Sequence, residues 1–388
     1  MRYPALDALR GIAAFAVVTH HAVLAGLLPV PPGAWTTLSR YTPLHLFVNG
    51  RASVILFFVL SGFVLTMSLE GERPGLDGWL RFAGRRLCRI YLPYAVAILV
   101  TASLSAATTS RAPLPGGWAA RLWSQPATPD LVARHLLMPI AWADLTLDRV
   151  AWSLVHEIRI SFLFPLLLAA ARAPVLLVAG CLAASALGYA GSDCASLACL
   201  PYNGSTTLQS FAATMFFVPF FAVGLLLARH RARIARVVGQ APPAILAAAW
   251  IVAIYGLIAP FKFEILPDVG VGAAAALLLS LVLPGGGPAR LLDTPPLPWL
   301  GRVSFSLYLC HLPVLALVLR IAAGADRSAT LGLFLLLSLL AAAVFHRLVE
   351  APCVGLGRRL ATGRDRRIGY AGPKVEKTLA WTRCRPAD

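Results

Sequence analysis

Residues 5–26 read ALDALRGIAAFAVVTHHAVLAG, an apolar run long enough to cross a lipid bilayer as one helix. Asp7 and Arg10 interrupt the run near its start, and two adjacent histidines, His20 and His21, lie deep inside it. Ionisable side chains are costly in hydrocarbon, and those found there commonly mark functional sites. The stretch therefore predicts a membrane helix with a polar site built into it.

The rest of the chain repeats this apolar pattern. Of the 388 residues, 58% are hydrophobic and only 13% are charged, whereas a soluble domain carries about 25% charged residues. This composition predicts an all-α, polytopic membrane bundle of about ten transmembrane helices. The expected spans are 8–27, 51–69, 91–108, 151–170, 174–190, 211–228, 243–260, 268–284, 302–320 and 328–346.

The net charge of +17 indicates topology rather than binding to nucleic acid. The basic residues cluster in alternate loops, at 81–89, 229–236 and 347–385, which ten spans would place on the side of the N-terminus. Short loops rich in lysine and arginine face the cytoplasm. Both termini are therefore expected in the cytoplasm. The arginines of 109–150 lie on the expected outer side, but in a longer loop, where positive charge has less influence on topology.

One membrane domain is expected over 1–350, followed by a basic cytoplasmic tail, 351–388, whose composition is typical of a disordered segment. Of the seven cysteines, only Cys194 and Cys199 fall in an expected outer loop. The sequence is compatible with a disulfide between these two cysteines and equally with two free thiols. No spacing of cysteine and histidine indicates a metal site.

Helix geometry relates Arg10 to His21. They are eleven positions apart, so their side chains point within about 20° of each other, and His21 lies about 16 Å deeper. His20 points elsewhere. The pair fits a cation at the mouth of a membrane cavity and a proton acceptor at its bottom, or else two side chains that only stabilise the bundle.

The second and third expected spans carry further polar residues. Ser61, followed by a glycine, suits the close approach of another helix, although direct chemistry stays open. Arg86 and Arg89 are three residues apart at the cytoplasmic end of a span. Arginine suits bidentate contacts to phosphate, but the positive-inside pattern alone also explains this cluster.

The densest polar cluster opens the fourth span, where Trp152, Ser153 and Glu157 lie within one and a half turns. A carboxylate at this depth must be paired or neutral, so the cluster fits either a substrate site or a structural network. His311 and Glu350, late in the chain, fit a structural role better than a catalytic one.

The sequence resembles the acyltransferase 3 family of bacterial membrane acyltransferases. Six segments carry the resemblance, in the family's order, across residues 1–352: LDALRGIAAFAVVTHH, FFVLSGFVL, RRLCRIYLPY, WSLVHEIRISFLFPLL, GRVSFSLYLCHLPV and FHRLVEAP.

The resemblance implies a ten-span enzyme of the bacterial inner membrane without a permanently bound cofactor. Its donor would be cytoplasmic acyl-CoA, often acetyl-CoA, and its acceptor a hydroxyl of a sugar or cell-surface glycan. Arg10 and His21 match the family's catalytic motif, an arginine and a histidine with ten residues between them. Arg86 and Arg89 match its cytoplasmic arginines. Trp152 and Ser61 are expected to line the substrate site.

Two departures from the family concern the histidine. Relatives often carry an acidic residue about ten positions after it, where this chain has none, and many carry another where this chain has Ile55. Glu157 or Glu350 is expected to substitute, and we favour Glu157. A multi-span transporter and a flippase of a glycan pathway are the alternatives, although the chain lacks a visible inverted repeat.

Overall fold

The computed structural model describes residues 3–28, 42–70, 75–108, 114, 116–141, 145–192, 204–258 and 267–367. Within these ranges the chain is helical and contains no strand. The helices are α1 Pro4–Leu24, α2 Gly50–Leu69, α3 Leu76–Ala107, α4 Pro129–Leu136, α5 Ala151–Ala170, α6 Pro174–Ala190, α7 Thr207–Arg229, α8 Arg231–Gly239, α9 Pro243–Ile258, α10 Pro267–Val282, α11 Leu297–Ile321, α12 Arg327–Phe345 and α13 Ala351–Arg367.

Each of the ten expected spans coincides with one of these helices, but the count of ten transmembrane helices is not established. Six described helices are long and apolar enough to cross a membrane, or seven if the bent pair Asp268–Val282 and Gly287–Asp293 is one span. The helices Pro174–Ala190 and Pro243–Ile258 are shorter, and α1, which contains Asp7 and Arg10, is not among the six. At 1.5 Å per residue, 16 or 17 residues reach about 25 Å, less than the ~30 Å hydrocarbon core.

Glycines set the closest helix crossings of the bundle. A side chain at Gly11 of α1 would meet the backbone of Gly301 in α11, and one at Gly301 would meet the backbone of α1. In the same way Gly62 and Gly224 bring the backbones of α2 and α7 together. Small residues at such crossings let helices pack closely in a membrane. At the Ser61–Gly62 pair, Gly62 is the residue at the helix crossing.

The basic segments meet at one face of the bundle. Arg231, at the start of α8, forms an ion pair of 3.1 Å with Glu70 at the end of α2. Gly357 of α13 packs against Arg85 and Cys88 of α3. Glu70 and Arg229 line one pocket together with Trp79 of α3. The segments 81–89, 229–236 and 347–360 therefore share one side of the bundle, as their charge pattern predicts.

Residues 351–367, the first part of the expected tail, form the helix α13. A π turn at His346–Glu350 carries the helix on from α12, and the contact of Gly357 with α3 gives it a packing partner. The remaining tail residues, 368–388, lie outside the described part, as do Cys194 and Cys199.

Candidate active site

Three arginines line a narrow cavity of about 60 Å³ in the half of the bundle nearer the basic face. Arg10 comes from α1, and Arg86 and Arg89 come from α3. The cavity is completed by Phe57, Ser61, Val64, Ile90, Leu154, Glu157, Ser304, Phe305 and Tyr308. We call it the arginine cavity.

Arg86 and Glu157 form a buried ion pair on the wall of the arginine cavity. Their Nη2 and Oε1 atoms are 3.0 Å apart, with the side chains 10% and 20% exposed. Glu157 Oε1 also accepts a hydrogen bond of 2.9 Å from the Ser61 hydroxyl, and Arg86 donates to the Ser161 hydroxyl. The pair thus ties α3 to α5 and α2, and most of the bonding capacity of Arg86 is used inside the protein.

Arg10 and Arg89 are the less engaged cations of this cavity. Arg10 lies 3.9 Å from Asp7, a loose pair on one helix face. The side chain of Arg89 makes no hydrogen bond or ion pair with any residue that the structure describes. Arg89 also lies in a π turn, Leu87–Tyr91, and such turns are frequent at functional sites. The three-residue spacing of Arg86 and Arg89 in the sequence does not predict this π turn.

A second, larger cavity of about 490 Å³ lies at the other end of α1. We call it the histidine cavity. Its walls combine the His20 and His21 rings with aromatic and cationic side chains, and its lining residues include Trp118, Trp152, Asn49, Arg51, Arg149 and Tyr308. Arg51 is held there by Asp268, with Nη2 and Oδ2 2.5 Å apart, and lies over the Trp152 ring.

His20 and His21 have different partners, although both line the histidine cavity. His20 Nδ1 lies 2.7 Å from the carbonyl oxygen of Val48, and Gly50 packs against its ring. His21 Nδ1 lies 2.9 Å from the carbonyl oxygen of Val17, one turn back on α1. The two rings thus leave α1 on different sides, as the helix geometry predicts.

His311 of α11 lies directly against His21. Its Nε2 atom is 3.0 Å from His21 Nδ1, and its Nδ1 atom is 3.1 Å from the carbonyl oxygen of Leu307. The His311 side chain is fully buried, whereas His21 reaches the histidine cavity. The sequence indicates a structural role for His311 more than a catalytic one, and it does not show this contact, because 290 positions separate the two histidines.

Tyr308 lines both the arginine cavity and the histidine cavity. Its hydroxyl group is 2.7 Å from the Ser153 hydroxyl and lies 3.3 Å from the carbonyl oxygen of Val150. Tyr308 lies one turn before His311 on α11. The two cavities therefore share one side chain, which the Ser153 hydroxyl contacts.

The expected carboxylates do not reach His21. Glu157 bonds with Arg86 and Ser61, and Glu350 accepts hydrogen bonds from the Ser306 hydroxyl at 2.6 Å and from the His346 ring at 2.9 Å. Within the described residues, the side-chain partner of His21 is an imidazole. Glu157, expected to act through one hydrogen-bonded intermediary or at the acceptor, is held in the arginine cavity by its pairing with Arg86. Its role in the reaction stays a prediction.

No group of three or more histidine, cysteine or acidic side chains within the described residues could hold a metal ion. Arg10, Arg86, Arg89 and Ser61 line the arginine cavity, and Trp152 and His21 line the histidine cavity. The roles of these residues in a reaction stay predictions.

The chain is similar in sequence to acyltransferases. A family model described as "Acyltransferase domain" matches residues 3–347, nearly the whole chain. The chain is also 27% identical over 393 residues to Acyltransferase MdmB of Streptomyces mycarofaciens, covering 94% of this chain and 96% of that protein. No solved structure matches.

Proposed function

The chain belongs to the acyltransferase 3 family, and we propose that it moves an acyl group from cytoplasmic acyl-CoA to a hydroxyl of a sugar or cell-surface glycan. The enzyme would lie in a bacterial inner membrane with both termini in the cytoplasm. Acetyl is the proposed acyl group. Its family membership makes the chain an acyltransferase. The identities of the donor, the acceptor and the catalytic base are what we propose.

One observation carries the proposal: a cavity with three arginines and a cavity with a histidine meet at Tyr308. Phosphate groups of a coenzyme need cations, and the arginine cavity lies toward the basic face of the bundle. An acceptor hydroxyl needs a base, and His21 lies at the opposite cavity. The two substrates can thus approach from opposite faces and meet within the membrane.

The contacts of His21 fit the role of a general base. A carbonyl oxygen can only accept a hydrogen bond, so the Val17 carbonyl requires a proton on His21 Nδ1. In the neutral ring the lone pair is then on Nε2, the nitrogen without a described hydrogen-bond partner. A neutral imidazole can take a proton at physiological pH.

The transfer then proceeds in two bond changes. The acceptor oxygen attacks the thioester carbonyl carbon while its proton passes to Nε2 of His21. The tetrahedral intermediate collapses, the C–S bond breaks, and the coenzyme sulfur takes the proton and leaves as a thiol. The products are an ester of the acceptor and free coenzyme A.

The two cavities suit these substrates to different degrees. The histidine cavity, with Trp118 and Trp152 in its wall, offers aromatic surface for the apolar face of a sugar ring, and its volume admits a small glycoside. The arginine cavity is narrower, so the long side chains of Arg10 and Arg89 have to move apart before the donor enters.

The test of this function uses the full-length protein purified in detergent with radiolabelled acetyl-CoA. An acyltransferase should bind the donor and release free thiol when an acceptor hydroxyl is present. Mass spectrometry of surface glycans from cells with and without the gene then identifies the ester. Absence of both donor binding and ester would overturn the proposal and favour a transporter or flippase.

A further inference from the structure

The side-chain partner of His21 is the His311 ring of α11. A histidine base works best when one nitrogen is fixed by a hydrogen-bond acceptor, because this sets the tautomer and stabilises the imidazolium that forms. A carboxylate often supplies that acceptor. In the described residues no carboxylate contacts His21, yet a fully buried side chain from another helix does.

The hydrogen bonds of His311 determine which of the two histidines is the donor and which is the acceptor. Its Nδ1 atom faces the Leu307 carbonyl at 3.1 Å, so the proton of the neutral ring is on Nδ1 and the lone pair is on Nε2. That lone pair points at His21 Nδ1, 3.0 Å away, where the Val17 carbonyl also requires a proton. His21 Nδ1–H therefore donates to both acceptors.

We propose that His311 is a positioning residue that holds His21 through this hydrogen bond and takes the place of the missing carboxylate. The inference rests on the proposed role of His21 as the base. Both nitrogens of His311 are bonded, and its ring does not line the histidine cavity, whereas His21 Nε2 is free to meet the acceptor. His311 thus acts through His21 and not on the substrate.

The pairing remains compatible with catalysis when His21 takes up a proton. The new proton is added at Nε2, and Nδ1–H continues to donate to His311 Nε2 and to the Val17 carbonyl. The hydrogen bond then has a charged donor and is stronger than in the neutral ring. His311 therefore stabilises the transition state more than the resting enzyme, which raises the turnover rate.

Three replacements of His311 separate positioning from packing. A glutamine carbonyl oxygen can reach the place of Nε2, so His311→Gln should keep most of the turnover. An asparagine carbonyl reaches only the place of Nδ1, so His311→Asn should lower kcat about 30-fold, as expected for one hydrogen bond to a charged group. His311→Phe keeps the ring volume and should lose as much. The donor KM should stay unchanged in all three.

The pH dependence of kcat provides a second readout that a packing role would not move. Because His311 stabilises the protonated form of His21, His311→Asn should shift the acid limb of the kcat profile to lower pH, whereas His311→Gln should leave it in place. An unshifted profile in His311→Asn, or equal turnover of the Gln and Asn variants, would overturn the inference while leaving the proposed function intact. Full activity of His21→Ala would instead overturn the proposed base itself. Thermal unfolding in detergent verifies that each variant folds.

Discussion

The Arg86–Glu157 ion pair allows stability and donor binding to be measured separately. Removing one partner of a buried ion pair costs about 3–5 kcal/mol, because the other charge stays buried without a partner. Glu157 is 20% exposed, so water screens part of that cost and we expect Arg86→Ala to lose about 2–3 kcal/mol. The charge-removing double change, Arg86→Ala with Glu157→Gln, should recover about half of the loss.

The assay is thermal unfolding of purified protein in detergent, followed by tryptophan fluorescence, with acyl-CoA kinetics on the same samples. The double variant should unfold at a higher temperature than Arg86→Ala and still show a raised KM for the donor. Arg134→Ala is a matched control, since Arg134 pairs with Asp130 on an exposed helix and its loss should change little. If the two single losses simply add, Arg86 and Glu157 are not energetically coupled and the reasoning fails.

Three further changes test other parts of the structure. Arg89→Ala should raise the donor KM about tenfold without changing stability, with a smaller effect in high salt; a change in kcat alone would contradict a phosphate contact. Gly224→Ala should destabilise the protein by about 1–3 kcal/mol, because its Cβ would meet the α2 backbone, while Gly180→Ala, open on all sides, should not; equal unfolding temperatures would contradict the crossing. Burial raises the pKa of Asp148, which precedes α5, to about 8, so stability should fall as pH rises from about 4 to 8 by at most ~1.4 kcal/mol per unit, and Asp148→Asn should remove that slope.

Much of the fold follows from apolar patterning. Every expected span coincides with a described helix, because long apolar runs have few alternatives to a helix in a membrane. The helix α13 was not predictable from its polar composition, since its packing against Arg85 depends on a contact far along the chain. Span number also resists prediction, because 16- and 17-residue helices are near the limit for crossing.

In the candidate site, too, features within one helix follow from the sequence, whereas contacts between distant helices do not. The α1 periodicity alone gives the common direction of Arg10 and His21 and the separate direction of His20. The partner of Glu157 is an arginine rather than a histidine, and the partner of His21 comes from α11. Both contacts depend on how helices that are distant in sequence cross. Glycines such as Gly301 set those crossings, and the spacing of residues along one helix cannot show them.

The claim that His21 is the base is tested most directly by comparing His21→Ala with His20→Ala. Membranes of a deletion strain that carry each full-length variant would be supplied with radiolabelled acetyl-CoA, and label on the extracted surface glycan would be measured. His21→Ala should abolish transfer while donor binding and membrane insertion persist, and His20→Ala should retain most of it. Equal loss from both variants, or loss from His20→Ala alone, would contradict the assignment.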